Sequence, residues 1–469
     1  MDIKHVVVLM LENRSFDCML GQLYPGSGTF DGLKGTEFNT WHKPGGSQQD
    51  ISVWNDPALD AKTVCIPDPD PGERFTDIDA QIHGLSGPPM GGFVDNYMRQ
   101  RATTPPADPR AVMHYFTPDQ VPVISELAHA FGVSDRWHAS APCQTWPNRF
   151  FAHTGTANGY VNNSPTHFPY EMETVFNRLS DAKQEWRIYF HDIPQSATLT
   201  NLWGGLFKSH FLNFGTDFIR NAAAGTLPAY SFIEPRYFAD QLFNHAPNDE
   251  HPPHNVAYGE QLIAAVYNAV RGGPGWKQTL LLITYDEHGG CYDHVPPPAA
   301  TPPDNKKPDG FDFGYFGVRV PAVIVSPYVP SGSVIRPPGT TPFDHTSIIA
   351  TLGKLFGFKP LTARDAAAPN LLDALQAFNA PPDNDGVSSI TAPAPPPPGQ
   401  EVARAAARPP NDLQQSLATA AVHLPTAGAD VATHIQRLRA SVDVVPRHDT
   451  VADAAADVAA HMRGFLGRL

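Results

Sequence analysis

The sequence predicts an α/β fold in which a mainly parallel sheet is covered by helices on both faces. Apolar runs rich in β-branched and aromatic residues, the pattern of buried strands, recur at 3–11, 186–190, 229–233, 279–287 and 322–329. Helical patterns lie between several of them, at 123–132 and 259–270. Apolar strands that alternate with helices are typical of parallel sheets buried on both sides.

Composition limits the classes of partner. The chain has 469 residues, 41% of them hydrophobic, which is enough for a large core. Its net charge of -14, without any Lys/Arg cluster, argues against a nucleic-acid partner, because phosphate backbones are held by clustered basic residues. No apolar stretch approaches the roughly 18–20 residues of a membrane span, so we expect no transmembrane segment. No basic region with a cleavage site opens the chain, so no export signal is predicted.

The chain divides into three predicted regions. Residues 1–380 form the α/β domain, with loop-rich insertions at about 41–109 and 296–314. A Pro/Ala-rich linker covers 381–411 and includes "APAPPPPGQ". Residues 412–469 form a small helical C-terminal region that docks back or mediates oligomerisation. One apolar face of its last helix is formed by Val451, Val458, Met462, Phe465, Leu466 and Leu469.

Polar residues follow two of the apolar strands directly. Glu12 and Asn13 end the first strand, and Asp286 and Glu287 end the strand that begins at Thr279. Ligands of parallel sheets bind at the carboxyl ends of strands, so these side chains are expected at one edge. Buried carboxylates need a cation, and this oxygen-rich set suits one hard divalent metal ion. The competing interpretation is a solvated acidic turn.

A candidate nucleophile lies in "CQTWPNRFFAHTG". Pro147 suits the first turn of a helix, and Thr145 two residues earlier is predicted to be its N-cap. Unpaired N–H groups and the positive end of the helix dipole favour an alkoxide and bind phosphate there. An alcohol also needs a base or a metal before it attacks. The alternative is that Thr145 only caps the helix.

Several histidines are candidates for proton transfer or phosphate contact. His251 and His254 lie three residues apart in "NDEHPPHN", His345 follows Asp344, and His288 follows the acidic pair. Taken singly, each of them is more often structural, and so is the isolated His83.

Five ordered motifs together resemble a known family. They are "HVVVLMLENRSFD", "SDRWHASAPCQTWPNRFFAHTG", "HPPH", "YDEHGGCYDHVPPP" and "FDHTS". In this order they resemble the bacterial phosphoesterase family that contains haemolytic and non-haemolytic phospholipases C and related acid phosphatases. The resemblance covers about residues 1–375. It implies a three-layer α/β/α sandwich similar to alkaline phosphatase, with a metal at the carboxyl edge of the sheet.

The resemblance also implies roles for individual residues. Thr145 falls on the nucleophile, and Glu12 and Asn13 fall on metal and phosphate contacts. Asp286 and Glu287 fall on a pair of acidic metal ligands, in which some relatives carry a second Asp instead of Glu287. The histidines that match positions contacting phosphate or handling protons are His83, His254 and His345, with His251 and His288 as further candidates.

The expected function is therefore that of a metal-dependent phospholipase C. It would cleave the phosphodiester of phosphatidylcholine-like lipids through a phosphothreonine intermediate, with one divalent ion as cofactor. An acid phosphatase of broad monoester specificity is the alternative. Sulfate ester hydrolysis is disfavoured because "TWPNR" has Thr145 where that chemistry needs Cys or Ser, and a non-enzymatic scaffold is disfavoured because the candidate residues are all present. Members of the family are commonly exported, which leaves the compartment open.

Overall fold

The computed structural model describes residues 1–59, 65–84, 88–101, 105–442 and 447–467. Leu469, predicted on the apolar face of the last helix, lies outside these ranges. The strands of the described residues are, in chain order, β1 (His5–Leu11), β2 (Phe38–His42), β3 (Gln48–Ser52), β4 (Gly132–Val133), β5 (Trp186–Phe190), β6 (Phe211–Asn213), β7 (Tyr230–Ile233), β8 (Thr279–Tyr285), β9 (Ala322–Val325) and β10 (Ser333–Val334).

The α-helices alternate with these strands over most of the chain. In the same part of the chain they are α1 (Phe16–Leu20), α2 (Phe75–His83), α3 (Phe93–Tyr97), α4 (Pro122–Ala130), α5 (Thr145–Thr154), α6 (Val175–Asp181), α7 (Ile219–Ala223), α8 (Val256–Gly272), α9 (Thr346–Phe356), α10 (Ala363–Ala367), α11 (Leu371–Gln376), α12 (Pro398–Ala407), α13 (Asp412–Val422), α14 (Val431–Ala440) and α15 (Val451–Leu466).

The central sheet confirms the predicted α/β fold. Its strand order is β10-β4-β9-β8-β1-β7-β5-β6, and the run from β8 to β6 is parallel throughout. Strand β9 is the exception, because it pairs antiparallel with both β8 and β4. The described chain between β8 and β9 contains no helix that crosses back over the sheet, so β9 starts at the edge where β8 ends. The sheet is thus mainly parallel, as expected.

Helices cover both faces of this sheet. Tyr230 and Phe232 of β7 point to the face of α5 and α6, where Tyr230 meets the ring of Phe176 and Phe232 meets that of His153. Tyr189 pairs in register with Ile233 and so points to the other face, where its ring contacts Phe218 just before α7. Helix α7 packs on α8, and α8 packs on α4. The result is the three-layer arrangement predicted for the chain.

The insertion that begins near residue 41 carries structure of its own. Strands β2 and β3 form an antiparallel hairpin, and α2 and α3 pack beside it around a separate buried apolar cluster that includes Ile78 and Phe93. This small core holds the insertion in place over the sheet. It can therefore present side chains such as Glu73 in fixed positions.

The C-terminal helices contact the α/β part of the chain. Gln414 of α13 donates a hydrogen bond from Nε2 to the carbonyl of Tyr237 at 2.7 Å, and Lys208 donates to the carbonyl of Phe465 in α15 at 3.2 Å. Helix α12 lies inside the stretch predicted as a linker. The division at 1–380, 381–411 and 412–469 stays a prediction. A helix with the length and apolarity needed to cross a membrane does not occur in the described part of the chain.

Candidate active site

The register between β1 and β8 brings the two predicted acidic strand ends together. Leu11 pairs with Tyr285, so Glu12 and Asp286 leave neighbouring strands at the same edge of the sheet. Asn13 then turns the chain with a φ of 53°, in the left-handed region that Asn tolerates better than most residues. Its backbone N–H donates to Asp286 Oδ1 at 3.1 Å. The edge of the sheet thus carries the oxygen-rich cluster that the sequence predicts.

The Asn13 side chain links the predicted nucleophile to the acidic residues. Its amide nitrogen donates to Glu73 Oε1 and to Glu287 Oε1, each at 2.6 Å. Its amide oxygen lies 3.4 Å from the Thr145 hydroxyl, which also lies 3.2 Å from Glu12 Oε2. The five residues predicted to hold a metal, Glu12, Asn13, Thr145, Asp286 and Glu287, therefore lie in one buried cluster.

Thr145 begins helix α5, but the prediction that it is the N-cap is wrong. Gln144 has the extended backbone of the N-cap, and Thr145 is the first helical residue. The buried N–H of Trp146, in the first turn of the helix, donates to Asn163 Oδ1 at 2.7 Å. Because another side chain caps the helix, the Thr145 hydroxyl is left to face Glu12 and Asn13.

Arg149, one turn further along α5, supplies a cation to this cluster. Its guanidinium donates to Glu12 Oε1 and, at 3.0 Å, to the carbonyl of Met10. It also lies 3.6 Å from Glu234, which follows β7, and 3.8 Å from Asp286 Oδ2. All of these side chains are buried, and leaving such a charge unpaired typically costs about 3–5 kcal/mol. Arg149 therefore joins the ends of three neighbouring strands.

Arg149 does not neutralise all of the buried carboxylates, and the remaining negative charge suits an additional cation. Burial raises the pKa of Glu12 and of Glu287 well above the usual range, because the anions lose their hydration. Asp286 Oδ2 is buried and has no hydrogen-bond partner among the described residues. Buried carboxylates outnumber Arg149 around this edge, and their oxygens together with the Asn13 amide suit a hard divalent ion. Glu287 is already engaged, with Asn13 on one oxygen and the N–H of Gly289 on the other.

His254 has one ring nitrogen fixed and lies at the wall of a cleft. Its Nδ1 is 2.7 Å from Asp249 Oδ1, in a nearly buried pair. An Asp bound to one nitrogen orients the ring and leaves the other nitrogen for a substrate. Asp249 was not singled out from the sequence, although it lies in the same "NDEHPPHN" motif. The adjacency of a carboxylate to the histidines was the available signal.

His251 and His288 lie beside the acidic cluster rather than in the cleft. His251 Nε2 is 3.4 Å from Glu73 Oε1 and its Nδ1 is 3.7 Å from Asp70 Oδ1. Burial lowers the pKa of His251, but the carboxylates of Glu73 and Asp70 outweigh it and raise the pKa well above its ordinary value. Burial lowers the pKa of His288 to about 3, and its neutral ring contacts Gln81 and Glu287.

His345 and His83 occupy very different places. His345 is buried, with Nε2 2.6 Å from the carbonyl of Asp286 and Nδ1 accepting from the indole of Trp137 at 3.3 Å. Burial lowers its pKa to about 4, and both ring nitrogens are engaged in these contacts. The catalytic role of His345 stays a prediction. His83 ends α2 with a side chain 58% exposed and pairs with Asp79 at 3.0 Å. Within the described ranges no hydrogen bond joins His83 to the other predicted site residues.

A cleft of about 980 Å³ opens next to this cluster. Among the described residues, its walls come from the insertion, from the site itself, and from the predicted linker together with the C-terminal region. Their side chains at the cleft include Asp70, Glu73, Gln144, His254, Arg408, Asn411 and Asp412. Asn411, the N-cap of α13, also reaches His251, with its Nδ2 3.4 Å from the ring Nδ1. The junction of the predicted linker and the C-terminal region thus contributes directly to the approach to the site.

Comparison with known proteins identifies the family. The model of the Phosphoesterase family matches residues 3–359. Non-specific phospholipase C1 of Arabidopsis thaliana is 40% identical over 383 residues, which cover 78% of this chain and 69% of that protein. Non-hemolytic phospholipase C of Burkholderia pseudomallei is 28% identical, over 74% of this chain and 54% of that protein. The chain belongs to the Phosphoesterase family. It is a phosphoric ester hydrolase, as the motifs predict.

Solved structures similar to this chain are more distant. The phosphonate monoester hydrolase of Agrobacterium radiobacter is 11% identical, with a TM-score of 0.37 over 80% of this chain and 77% of that one. A protein in the alkaline phosphatase superfamily from Vibrio parahaemolyticus is also 11% identical, with a TM-score of 0.32 over 53% of this chain and 64% of that one.

Proposed function

We propose that the protein is a metal-dependent phospholipase C that cleaves phosphatidylcholine-like lipids through a covalent intermediate on Thr145. One observation carries this proposal: the Thr145 hydroxyl, at the start of α5, is turned toward Glu12 and Asn13 instead of capping its helix. The relatives named as phospholipases C support diester cleavage, and the cleft of about 980 Å³ has room for a substrate larger than a small monoester.

One divalent cation is part of the proposal. The ion would be held through oxygen atoms of Glu12, Asn13, Thr145 and Asp286. Glu287 would be a further ligand once its Oε1 exchanges the Asn13 amide for the ion. The bound ion would supply positive charge that lowers the pKa of the Thr145 hydroxyl. Arg149 complements that charge, partly offsets the effect of burial on the pKa of Glu12, and holds this side chain in place.

In the first step Thr145 Oγ1 attacks phosphorus and the bond from phosphorus to the diacylglycerol oxygen breaks. The hydroxyl proton passes to Glu12 Oε2, which lies 3.2 Å away. His254, oriented by Asp249, donates a proton to the departing oxygen, a contribution typically worth about 10²- to 10⁴-fold. The N-terminal end of α5 favours the negative charge on the phosphoryl oxygens.

In the second step water attacks the phosphothreonine, which still carries the head group. His254 has lost its proton to the leaving alcohol and now accepts one from the water. The bond between phosphorus and Thr145 Oγ1 breaks, the hydroxyl regains a proton from Glu12, and the phosphorylated head group leaves.

Three substrates test the proposed function. We expect kcat/KM for phosphatidylcholine and for p-nitrophenyl phosphorylcholine to exceed that for p-nitrophenyl phosphate by about 100-fold or more, because the cleft of about 980 Å³ has room to bind the second ester group. Steady-state hydrolysis by the full chain under identical conditions provides the comparison. A preference for the monoester would contradict the proposal and favour an acid phosphatase.

The leaving-group dependence tests His254. In the His254→Ala variant we expect hydrolysis of phosphatidylcholine to fall by about 10²-fold or more, because the alkoxide of diacylglycerol needs a proton. p-Nitrophenolate leaves without one, so attack on p-nitrophenyl phosphorylcholine should fall much less. The Asp249→Asn variant should show the same pattern with a smaller loss. The comparison uses kcat/KM, which reports only the steps up to departure of the leaving group and so excludes the later role of His254 toward water. Equal losses of kcat/KM on both substrates would rule out His254 as the proton donor.

A further inference from the structure

Two neighbouring apolar side chains stand exposed at the tip of one loop. Leu242 is 84% exposed and Phe243 is 67% exposed. Large apolar side chains that are exposed elsewhere in the described chain, at Met1, Phe38 and Ile219, are not adjacent to one another in sequence. Single exposed apolar residues need no explanation, but an adjacent pair with such high exposure indicates an interaction surface.

The loop presents this pair in a fixed conformation. Asp240 and His245 exchange two backbone hydrogen bonds, at 2.8 and 2.9 Å, which close the turn. The Asp240 carboxylate accepts from the backbone N–H groups of both Leu242 and Phe243 at 3.0 Å. Asn244 completes the turn with a φ of 55°. Polar groups thus hold the turn, while the side chains of Leu242 and Phe243 do not pack into a hydrophobic core.

The loop that carries this tip begins at the same edge of the sheet as the active site, where the parallel strands end. It starts after Glu234, at the end of β7, and returns at Asp249, which holds His254. Asn244 also lies beside Gly399, at the start of α12. Its Oδ1 is 3.9 Å from the place where a side chain at position 399 would begin. Ala405 of the same helix lines the cleft, about 9 Å further along the helix axis.

We propose that Leu242 and Phe243 insert into the surface of a lipid aggregate and thereby dock the cleft on its substrate. This inference rests on the proposed function, because only a lipid substrate requires such docking. A specific protein partner or a second copy would need an interface of about 1,200–2,000 Å², far more than two side chains provide. An apolar pair flanked by the polar residues Gln241, Asn244 and His245 suits the boundary between head groups and acyl chains. The net charge of -14 favours a zwitterionic surface over an anionic one.

The test compares Leu242→Ser/Phe243→Ser with the matched control Phe38→Ser, which removes a 52% exposed aromatic residue from strand β2. Binding to phosphatidylcholine vesicles is measured by flotation with all proteins in a Thr145→Ala background, so that no lipid is consumed. We expect the double variant to bind at least about tenfold more weakly, because it lacks the two apolar side chains whose transfer from water into the lipid stabilises binding. The control should bind as the parent does.

Activity supplies the second measurement. With Thr145 restored, the double variant should lose activity on vesicles in proportion to binding and keep its activity on soluble p-nitrophenyl phosphorylcholine. Unchanged vesicle binding, or a parent that does not bind vesicles, would overturn the docking role. A shift in sedimentation coefficient of the double variant would overturn it in favour of self-association. If the parent binds vesicles through this pair but hydrolyses no phosphatidylcholine, docking stands and the proposed substrate fails.

Discussion

Replacing Thr145 with Ala is expected to lower kcat/KM for a phosphodiester by at least about 10⁴-fold, because no other hydroxyl can take over the attack on phosphorus. The fold should persist, since the Thr145 side chain contacts Glu12 and Asn13 without capping its helix. Hydrolysis of p-nitrophenyl phosphorylcholine and thermal unfolding of the same preparation measure the two effects separately.

Two companion variants sharpen this prediction. Thr145→Ser keeps a hydroxyl and should retain measurable turnover. Thr154→Ala removes a hydroxyl from the other end of α5. This hydroxyl donates to the carbonyls of Phe150 and Thr156 and accepts from the N–H of Thr156, away from the site, so the chemistry should survive. Acid quenching during turnover should trap the phosphorylated head group on the peptide that contains Thr145. Near-normal activity of Thr145→Ala, or a label on another residue, would refute the covalent mechanism.

The second large effect is expected from Asp286→Asn. Asp286 Oδ1 accepts from the N–H groups of Asn13 and Glu287, at 3.1 and 2.8 Å, and an Asn oxygen can keep both contacts. What the variant removes is the negative charge on Oδ2, the atom without a hydrogen-bond partner in the described structure. Loss of a ligand charge should weaken divalent binding and lower kcat by about 10³-fold.

Metal content and activity are measured on the same samples. Wild-type protein should retain about one divalent ion after gel filtration, whereas Asp286→Asn should retain much less. Treatment of the wild type with a chelator should abolish turnover, and a divalent salt should restore it. The exposed Asp312→Asn serves as the control and should behave as the wild type does. Full turnover by metal-free wild-type protein would refute the metal-dependent mechanism.

The fold was predictable wherever burial left a strong pattern in the sequence. Strands β1 and β8 are seven-residue apolar runs, and both were predicted with nearly correct bounds. Strands β4 and β10 have two residues each, too few for any periodicity to show. The antiparallel direction of β9 was also not predictable, because the spacing of apolar residues carries no information on strand direction.

The site was predictable where polar residues directly follow buried strands. Glu12 and Asp286 stand directly after buried strands, so their meeting follows from a parallel sheet. Arg149 was missed because an arginine in a helix is ordinarily solvated, and only tertiary packing encloses it among the ends of three strands. Glu73 comes from the insertion, and no local pattern places it against Asn13. The contact between Glu73 and Asn13 depends on how the insertion, which has its own small core, packs on the rest of the protein.

Helix α5 carries both Thr145 and, one turn later, Arg149. The guanidinium is held by Glu12 and by the carbonyl of Met10, so the helix cannot rotate about its axis without breaking these bonds. The orientation of the hydroxyl is therefore established during folding, before any substrate arrives. The cost of ordering the reacting group is then borne once per molecule rather than in every catalytic cycle.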